Sequence, residues 1–343
     1  MSFLRNCWYA AAWLDEIDAD PMLHRKILGE DILFSKGSDG TFHAMRNRCS
    51  HRFVPLSLGE RDGDTVTCPY HGLRFDLSGK CVGNPHGNGF IPQNANVKSY
   101  PVEARHMLLW IWMGDAEKAD PAEIPELPGL DRTQYAINNG YMHTAANYEY
   151  MSDNIMDLGH IEFLHKEVLG SEAVLTAEVD VRQDASIVFS NRLTRNEILP
   201  PALEALFEAG GQPVDRWLDV TWYPPGNMVL VVGVAKSGEP ERVGRETPGV
   251  HLMTPETENS THYFWSVSRA FRRDDPALHE ALEQGFRFAF EQQDKPMIDA
   301  QHEAIDGEDF WEMQPVILEG DAGAIRARRI LRKLIREEQG QPA

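Results

Sequence analysis

The chain has 343 residues, of which 42% are hydrophobic and 25% are charged. This is an ordinary globular composition, with enough length for one large domain or two medium ones. Asp and Glu outnumber Lys and Arg by 53 to 33, so the formal net charge is −20 at pH 7. Such an acidic surface repels phosphate backbones and anionic headgroups, so we expect neither a nucleic acid nor a membrane as partner.

The N-terminal region and the cysteine content both favour a cytoplasmic protein. The apolar stretch 7–13 is short and is soon followed by four acidic residues, which is not typical of a secretory signal. A secreted disulfide scaffold of this length would usually carry more than the four cysteines found here, Cys7, Cys49, Cys68 and Cys81. We expect Cys7 and Cys81 to be buried small apolar residues.

The first third of the chain has the pattern of short strands. Two apolar runs flank the turn-forming segment 37–40, which predicts a hairpin, and residues 77–80 predict a second turn. Residues 106–114 form an apolar run of strand length that ends at a glycine. The sequence predicts a small all-β domain over residues 1–115.

The pattern changes after that domain. Residues 115–130 are rich in Pro, Glu and Asp, which predicts a linker over 116–135. A helix near 147–168, strands from about 176 to 270, and helices at 276–305 and 321–338 follow. The fold class is therefore α+β, with an α+β domain over residues 136–343.

A pair of short motifs in the first domain suggests an iron–sulfur site. Cys49-x-His51 and Cys68-x-x-His71 each supply one thiolate and one imidazole. Such a set can bind one zinc ion or a [2Fe–2S] cluster, in which the two cysteines hold one iron and the two histidines the other. A zinc finger usually keeps its cysteines together and its histidines together, whereas here they alternate in a strand-rich region. The pattern favours the cluster.

The segments around these motifs closely resemble the signature of Rieske oxygenases. In such a site Tyr70 would lie beside the cluster, where its hydroxyl could donate to sulfur and raise the potential. The resemblance runs essentially end to end and implies an N-terminal Rieske domain followed by a catalytic domain with an antiparallel sheet and helices, a helix-grip-like arrangement. It also implies an oxidoreductase that uses O₂.

A second motif lies in the predicted helix after the linker. Asp157-Leu158-Gly159-His160 is followed four residues later by His165. Asp157 and His160 are three apart and are predicted to share a helix face. His160 and His165 are about 140° apart on an unbroken helix, so both can bind one metal only if the helix ends or bulges between them. Spacing alone favours an exposed helix with two solvated histidines, but the Rieske motif upstream reverses that preference in favour of the metal site.

The resemblance supplies the rest of this site. Two imidazoles and a carboxylate form the facial triad of non-haem Fe(II) enzymes, and the similar family segment places the carboxylate at Asp294, with Asp299 and Glu291 as rivals. It also implies that Asp157 bridges His71 of one subunit to His160 of its neighbour in a homotrimer, by accepting from both imidazoles. Asn154 would lie near the iron.

The substrate is less defined by the sequence. The chain resembles the vanillate and dicamba O-demethylase branch, which oxidises a methyl carbon attached to an aryl oxygen. That resemblance places four residues at the substrate, His251, Leu230, Gly285 and Phe286. A branch Asn aligns with Leu230 and an aromatic residue with Gly285, so the substrate is expected to be larger or neutral, such as an N-alkyl anilide.

Several alternatives follow from these observations. The leading interpretation is an O-demethylase or N-dealkylase; ring hydroxylation is the second, and an electron-transfer or zinc-stabilised binding protein is the third. The chain has no Gly-rich nucleotide fingerprint, so electrons must come from an NAD(P)H-dependent reductase, usually through a ferredoxin. The basic residues of 326–336 are either a solvated helix face or a docking patch for an acidic ferredoxin.

Overall fold

The computed structural model describes residues 3–166, 168–239 and 242–341. The chain divides into two compact units, Met1–Ile124 and Pro125–Ala343, and the division falls inside the predicted linker. The last part of the first unit forms two 3₁₀ turns, each started by an aspartate whose side chain accepts from the backbone two residues later, Asp115 and Asp120. Such local caps explain why this acidic, Pro-rich segment is ordered without a core of its own.

The first unit consists of short antiparallel strands and one short helix, α1, at Leu14–Ala19. This confirms the predicted β character of the domain, although α1 was not predicted. The strands are β1 (Trp8–Trp13), β2 (His24–Ile27), β3 (Glu30–Lys36), β4 (Phe42–Arg46), β5 (Glu60–Asp62), β6 (Thr65–Thr67), β7 (Arg74–Asp76), β8 (Cys81–Gly83), β9 (Ser99–Tyr100), β10 (Val102–Arg105) and β11 (Leu108–Trp112).

These strands form three antiparallel sheets, ordered β1-β11-β10, β2-β3-β4-β9 and β5-β6-β7-β8. The predicted hairpin at 37–40 joins β3 to β4, which pair from Lys36 and Phe42 inward. The second predicted turn joins β7 to β8. Its Gly79 has φ +84°, and a Cβ there would lie 2.6 Å from the Val97 carbonyl oxygen, so both conformation and space require glycine.

The second unit is built on one seven-stranded antiparallel sheet, ordered β12-β18-β17-β16-β15-β14-β13. This confirms the predicted α+β class. The strands are β12 (Ala136–Thr144), β13 (Glu178–Asp184), β14 (Ile187–Glu197), β15 (Val214–Tyr223), β16 (Asn227–Lys236), β17 (Arg245–Thr257) and β18 (Ser260–Arg269). The helices are α2 (Tyr148–Met156), α3 (Ile161–Leu164), α4 (Pro201–Phe207), α5 (Pro276–Arg287), α6 (Lys295–Ile305) and α7 (Ala322–Glu338).

Two predicted helices are interrupted, and both interruptions lie at the predicted metal site. The helix expected over 147–168 ends at Met156, because Asp157 has extended dihedral angles, and a 3₁₀ turn at Leu158–His160 leads into α3. The helix expected over 276–305 contains a π-helical segment, Phe288–Asp294, between α5 and α6. No helix in the described parts of the chain is both long and apolar enough to cross a membrane.

Candidate metal centres and the adjoining pocket

The cysteines of the first motif pair lie at the start of two similar loops. Cys49 N donates to Val54 O at 2.9 Å, and Cys49 O accepts from Phe53 N at 3.0 Å. Cys68 has the same pattern with Leu73 O and Gly72 N, at 2.8 and 3.0 Å. Both cysteines are buried. The fourth residue after each cysteine has a positive φ, +63° at Phe53 and +73° at Gly72, so the two loops have matching backbones.

The histidines of these loops face each other. The rings of His51 and His71 have their centroids 4.5 Å apart, and the side chains of Cys49 and Cys68 also interact with each other. Tyr70 packs against His71 with a ring separation of 4.0 Å, but its side chain is largely exposed. Outside the motif, Cys81 is buried as expected, whereas Cys7 is only partly buried.

The helix interruption brings the two histidines of the second motif together. His160 lies on the 3₁₀ turn after Asp157, and His165 leaves α3 with φ −110° and ψ 25°. Their ring centroids are 5.2 Å apart, which an unbroken helix would not allow. The expected break therefore exists, although it begins at Asp157. The spacing had suggested that Asp157 and His160 share one helix face. This prediction is wrong, because α2 ends before Asp157 and His160 lies on the 3₁₀ turn that follows.

Asp294 completes this group. Its Oδ1 lies 3.5 Å from His160 Nε2 and 3.2 Å from His165 Nε2, and the carboxylate is almost fully buried. It is the last residue of the π-helical segment, whose wider turn directs the carboxylate towards the histidines; π-helical turns frequently occur at functional sites. The rival acids are occupied elsewhere, Glu291 with Arg287 and Asp299 with Lys295.

Hydrogen bonds orient all three side chains of this group. His160 Nδ1 donates to the Asp157 carbonyl oxygen and His165 Nδ1 to Gln293 Oε1, both at 2.8 Å, so each Nε2 lone pair points to the centre. Asn154 Nδ2 donates to Asp294 Oδ1 at 3.1 Å. Burial lowers the pKa of His160, whereas for His165 the effect of burial is outweighed by Asp294, which raises the pKa.

The three side chains fit a mononuclear iron. Metal–donor bonds of about 2.1 Å at right angles separate two donors by about 3 Å, close to the observed carboxylate–imidazole distances. Two imidazoles and one carboxylate with free coordination positions are the donor set of non-haem Fe(II) oxygenases. Within the described residues, His160, His165 and Asp294 form the group that could hold a metal ion.

Asp157 has a different set of contacts from those expected. Its carboxylate accepts from Arg192 Nη2 at 2.6 Å and from Gly159 N at 3.0 Å. His160 is held by the Asp157 backbone carbonyl, so within this chain the carboxylate does not accept from that imidazole. Arg192 is buried and also donates to Met156 O and Gly320 O. Sequence reasoning did not single out Arg192 or Gln293.

A mainly apolar cavity of about 150 Å³ lies beside the group formed by His160, His165 and Asp294. Its floor comes from alternate residues of β15 to β18 and its other walls from α2, α4, α5 and the π-helical segment. The four residues predicted to contact substrate, His251, Leu230, Gly285 and Phe286, all line it. A Cβ at Gly285 would meet nothing within 4 Å, so this position leaves space in the cavity.

His251 is a neutral donor at this wall. It is fully buried, and burial lowers its pKa to about 4, so the ring is uncharged at neutral pH. Tyr263 OH lies 2.5 Å from His251 Nδ1. Burial also raises the pKa of Tyr263, so the phenol keeps its proton and donates to Nδ1, which leaves the proton of the imidazole on Nε2.

Comparisons with known proteins agree with these two sites. The Rieske [2Fe–2S] domain family matches residues 7–101, and the vanillate O-demethylase oxygenase C-terminal domain family matches residues 144–337. The oxygenase component of chloroacetanilide N-alkylformylase from Rhizorhabdus wittichii is 38% identical, over 99% of this chain and 97% of that protein. The oxygenase component of dicamba O-demethylase from Stenotrophomonas maltophilia is also 38% identical, over 97% and 98%.

A crystal structure of dicamba monooxygenase bound to 3,6-dichlorosalicylic acid has a TM-score of 0.93 and 34% identity, covering 99% of this chain and 100% of that chain. The chain belongs to the Rieske non-haem-iron oxygenases, in the family of the vanillate and dicamba O-demethylase oxygenase components. It is the oxygenase component of a multicomponent monooxygenase, with a Rieske [2Fe–2S] cluster and a mononuclear non-haem iron as cofactors. The alternative predictions of an electron-transfer protein and of a zinc-stabilised binding protein are therefore wrong.

Proposed function

We propose that this oxygenase removes an alkyl group oxidatively from a small, neutral aromatic compound that carries it on oxygen or nitrogen. The observation that carries the proposal is the cavity, which is lined mainly by apolar side chains and has the side chains of His160, His165 and Asp294 at one end. A substrate bound there can hold an alkyl carbon next to the iron while its ring is surrounded by aliphatic and aromatic side chains.

Two groups of residues are proposed to hold the two cofactors. We propose that Cys49, Cys68, His51 and His71 hold the Rieske cluster, and that His160, His165 and Asp294 hold the iron. When bound, the iron supplies the O₂ chemistry that hydroxylates the alkyl carbon, with one oxygen atom leaving as water after two electrons and two protons arrive. The hydroxylated carbon then departs as an aldehyde, leaving a phenol or an N–H compound.

A neutral substrate follows from the charges around the cavity. The cationic side chain in its wall is Arg216, which is paired with Glu197, and His251 is uncharged. Leu230 offers no hydrogen bond. An anionic group would therefore lose its hydration without gaining a free positive charge, which is costly in a buried site. Gly285 adds room for substituents on nitrogen or on the ring. This combination favours an N-alkyl anilide over an aryl carboxylate.

The test is product analysis with the reconstituted oxygenase, a ferredoxin and a reductase. N-alkyl anilides and aryl methyl ethers should give one equivalent of aldehyde for each N–H compound or phenol formed, with ¹⁸O from ¹⁸O₂ in the aldehyde oxygen. A ring-hydroxylated product that keeps the alkyl group would support ring hydroxylation and overturn dealkylation. Consumption of NADH and O₂ without either product would show that the tested compounds are not substrates.

We further propose that Asp157 links the two metal centres across subunits of a homotrimer. Arg192 and Gly159 hold one oxygen of its carboxylate, and the side chain is still 29% exposed. The exposed part can accept the N–H of His71 from a neighbouring subunit, while the backbone carbonyl of the same residue holds His160. Such a link would fix both imidazoles and shorten the electron path.

Replacing Asp157 with Asn should lower the rate of product formation at least tenfold, while the reductase still reduces the Rieske cluster at the normal rate. Sedimentation velocity should give the mass of a trimer for both proteins. Asp180→Asn, on exposed strand β13, is the matched control and should behave like the unsubstituted enzyme. A variant at Asp157 with full turnover would exclude this residue from the electron path.

Electrons reach the oxygenase component from separate proteins, and we infer a ferredoxin and an NAD(P)H-dependent reductase as the supply. NAD(P)H is an intracellular reductant, so we also infer a cytoplasmic location, which cell fractionation can test. Parts of the basic segment are not free for docking: Arg328 is buried, and Arg326 donates to the carbonyl oxygen of Val181.

A further inference from the structure

A buried ion pair lies in the wall of the cavity, and the proposed dealkylation does not use it. Arg216 and Glu197 are 1% and 3% exposed, and they belong to neighbouring strands β15 and β14. Arg216 Nε donates to Glu197 Oε2 at 3.1 Å, and the hydroxyl of Thr194 donates to the same oxygen at 2.5 Å. Glu197 is therefore fixed in place, and it holds the guanidinium in turn.

The guanidinium keeps hydrogen-bonding capacity that the protein does not use. Arg216 Nη2 lies 2.9 Å from Glu197 Oε1, so the carboxylate faces both Nε and Nη2 of the guanidinium. No acceptor in the described part of the chain receives a bond from Nη1. A guanidinium has five N–H donors, and the two on Nη1 have no acceptor among the described residues. An almost fully buried donor without an acceptor is costly, unless something that binds in the cavity accepts from it.

Arg216 lies at the end of the cavity away from the iron. Trp222 on β15 shares a row of the sheet with Met228 and His251, at the iron end. Arg216 is six residues further along the same strand, which is about 20 Å of extended chain. The neighbouring wall at that end comes from α4, Leu218 and Val232, which are apolar, and from Thr247, whose hydroxyl donates to the Val232 carbonyl oxygen. The guanidinium is therefore the charged group with unused donors at the far end of a mainly apolar cavity.

The charge state of the pair indicates what it recognises. Glu197 balances the charge of Arg216, so the site as a whole is a strong hydrogen-bond donor with no net charge. It suits the oxygen or nitrogen acceptor of a neutral group, such as a ketone, an amide, an ester or an ether, more than a carboxylate or sulfonate. The distance to the iron requires this acceptor to be at the opposite end of the substrate from the alkyl carbon that is oxidised.

We propose that Arg216, positioned by Glu197, is a substrate-recognition residue that hydrogen-bonds a neutral acceptor group remote from the oxidised alkyl carbon. The proposal rests on the proposed function for the orientation of the substrate and names a feature that the substrate carries. Arg216 is not one of the proposed metal ligands, and it is not one of the four residues that the sequence predicted to contact substrate.

The test is anaerobic calorimetric titration of the holoenzyme with two isosteric probes, 4-(4-methoxyphenyl)butan-2-one and 4-butylanisole, which differ by a ketone oxygen remote from the methoxy group. The unsubstituted enzyme should bind the ketone about tenfold more tightly, the effect of one hydrogen bond from a charged donor. The corresponding carboxylate, 3-(4-methoxyphenyl)propanoate, should bind no more tightly than the ketone.

The variant removes both charges at once, because Arg216→Met alone would leave a buried, unpaired Glu197 and risks misfolding. The double variant Glu197→Gln, Arg216→Met should bind both neutral probes equally, with the visible spectrum of the cluster unchanged. Equal binding of the probes by the unsubstituted enzyme overturns the proposal without any variant, as does a tenfold preference that survives in the double variant. Tighter binding of the carboxylate would overturn the neutral-acceptor assignment.

The outcome is separable from that of the proposed function. Butylanisole lacks the remote acceptor but carries the methoxy group, so formaldehyde release from it at saturation reports on dealkylation alone. A ketone preference without formaldehyde release would support substrate recognition by Arg216 and overturn the proposed dealkylation. Formaldehyde release without a ketone preference would support dealkylation and overturn the role of Arg216.

Discussion

Asp294→Ala should give an oxygenase that retains its Rieske cluster and loses its mononuclear iron. We expect about two iron atoms per chain in place of about three, an unchanged electron paramagnetic resonance signal of the reduced cluster, and product formation at least 100-fold lower. The physical reason is that this carboxylate is the anionic donor beside both Nε2 atoms, at 3.2 and 3.5 Å. Iron analysis, the resonance spectrum and product assay together test the expectation.

Three neighbours on the same π-helical segment provide a graded comparison. Glu291→Ala removes an exposed partner of Arg287 and should leave the iron content unchanged. Gln292→Ala should also be silent, because that side chain is exposed. Gln293→Leu removes the acceptor for His165 Nδ1 and should weaken iron binding by about 10- to 100-fold. If Asp294→Ala kept its third iron and its turnover, the mononuclear site would have to be elsewhere.

Arg328→Met should destabilise the second unit by about 3 kcal/mol, because it leaves two poorly solvated carboxylates without their cation. Arg328 is buried and contacts Asp153 Oδ2 at 2.7 Å and Glu149 Oε2 at 2.8 Å. Its guanidinium also lies over the rings of Tyr150 and Phe310, at 5.3 and 4.2 Å. A loss of this size should lower the melting temperature by about 6–12 °C.

The loss should depend on pH in a defined direction. Burial raises the pKa of Glu149 and of Asp153, and Arg328 opposes that effect. Without Arg328 both folded-state pKa values rise further, so the folded variant binds protons more tightly than its unfolded chain. The deficit should therefore be small near pH 4 and grow as the pH rises through the raised values. Arg329→Met, which changes an exposed neighbour, should cost less than about 1 kcal/mol at any pH; equal losses in the two variants would contradict the assignment.

The sequence was most informative where residue chemistry and spacing act together. Alternation of Cys49, His51, Cys68 and His71 predicts facing loops, because a cluster needs two residues of each type at one place, and the structure has such loops. The spacing of His160 and His165 predicted that the helix must be interrupted. It did not predict that Asp157 ends the helix, because the position of this residue depends on the contact of its carboxylate with Arg192, 35 residues further along the chain.

Long-range partners account for most of what the sequence did not reveal. Asp294 could not be separated from Glu291 and Asp299 by helical phase, since the π-helical turn changes that phase. Arg216 is the cation among the apolar residues at alternate positions of β15. The alternation of inward and outward side chains along a strand could have identified it from the sequence. Arg328 similarly lies three residues from both Ile325 and Leu331 on the buried side of α7, so its place in the helix repeat already distinguished it from its solvated neighbours.

The π-helical segment carries both a cavity-lining side chain, Phe290, and the carboxylate of Asp294. Phe290 lines the cavity within this segment, Phe286 lines it one turn earlier, and Asp294 ends the segment beside His160 and His165. The added residue in the wide turn therefore aligns the cavity wall with the proposed metal donor. Laboratory evolution of substrate range can exchange side chains at 286 and 290, but a one-residue deletion that restored a regular α-helix would turn the carboxylate away from the iron. Length variation in this enzyme should consequently be tolerated in surface turns and rejected here.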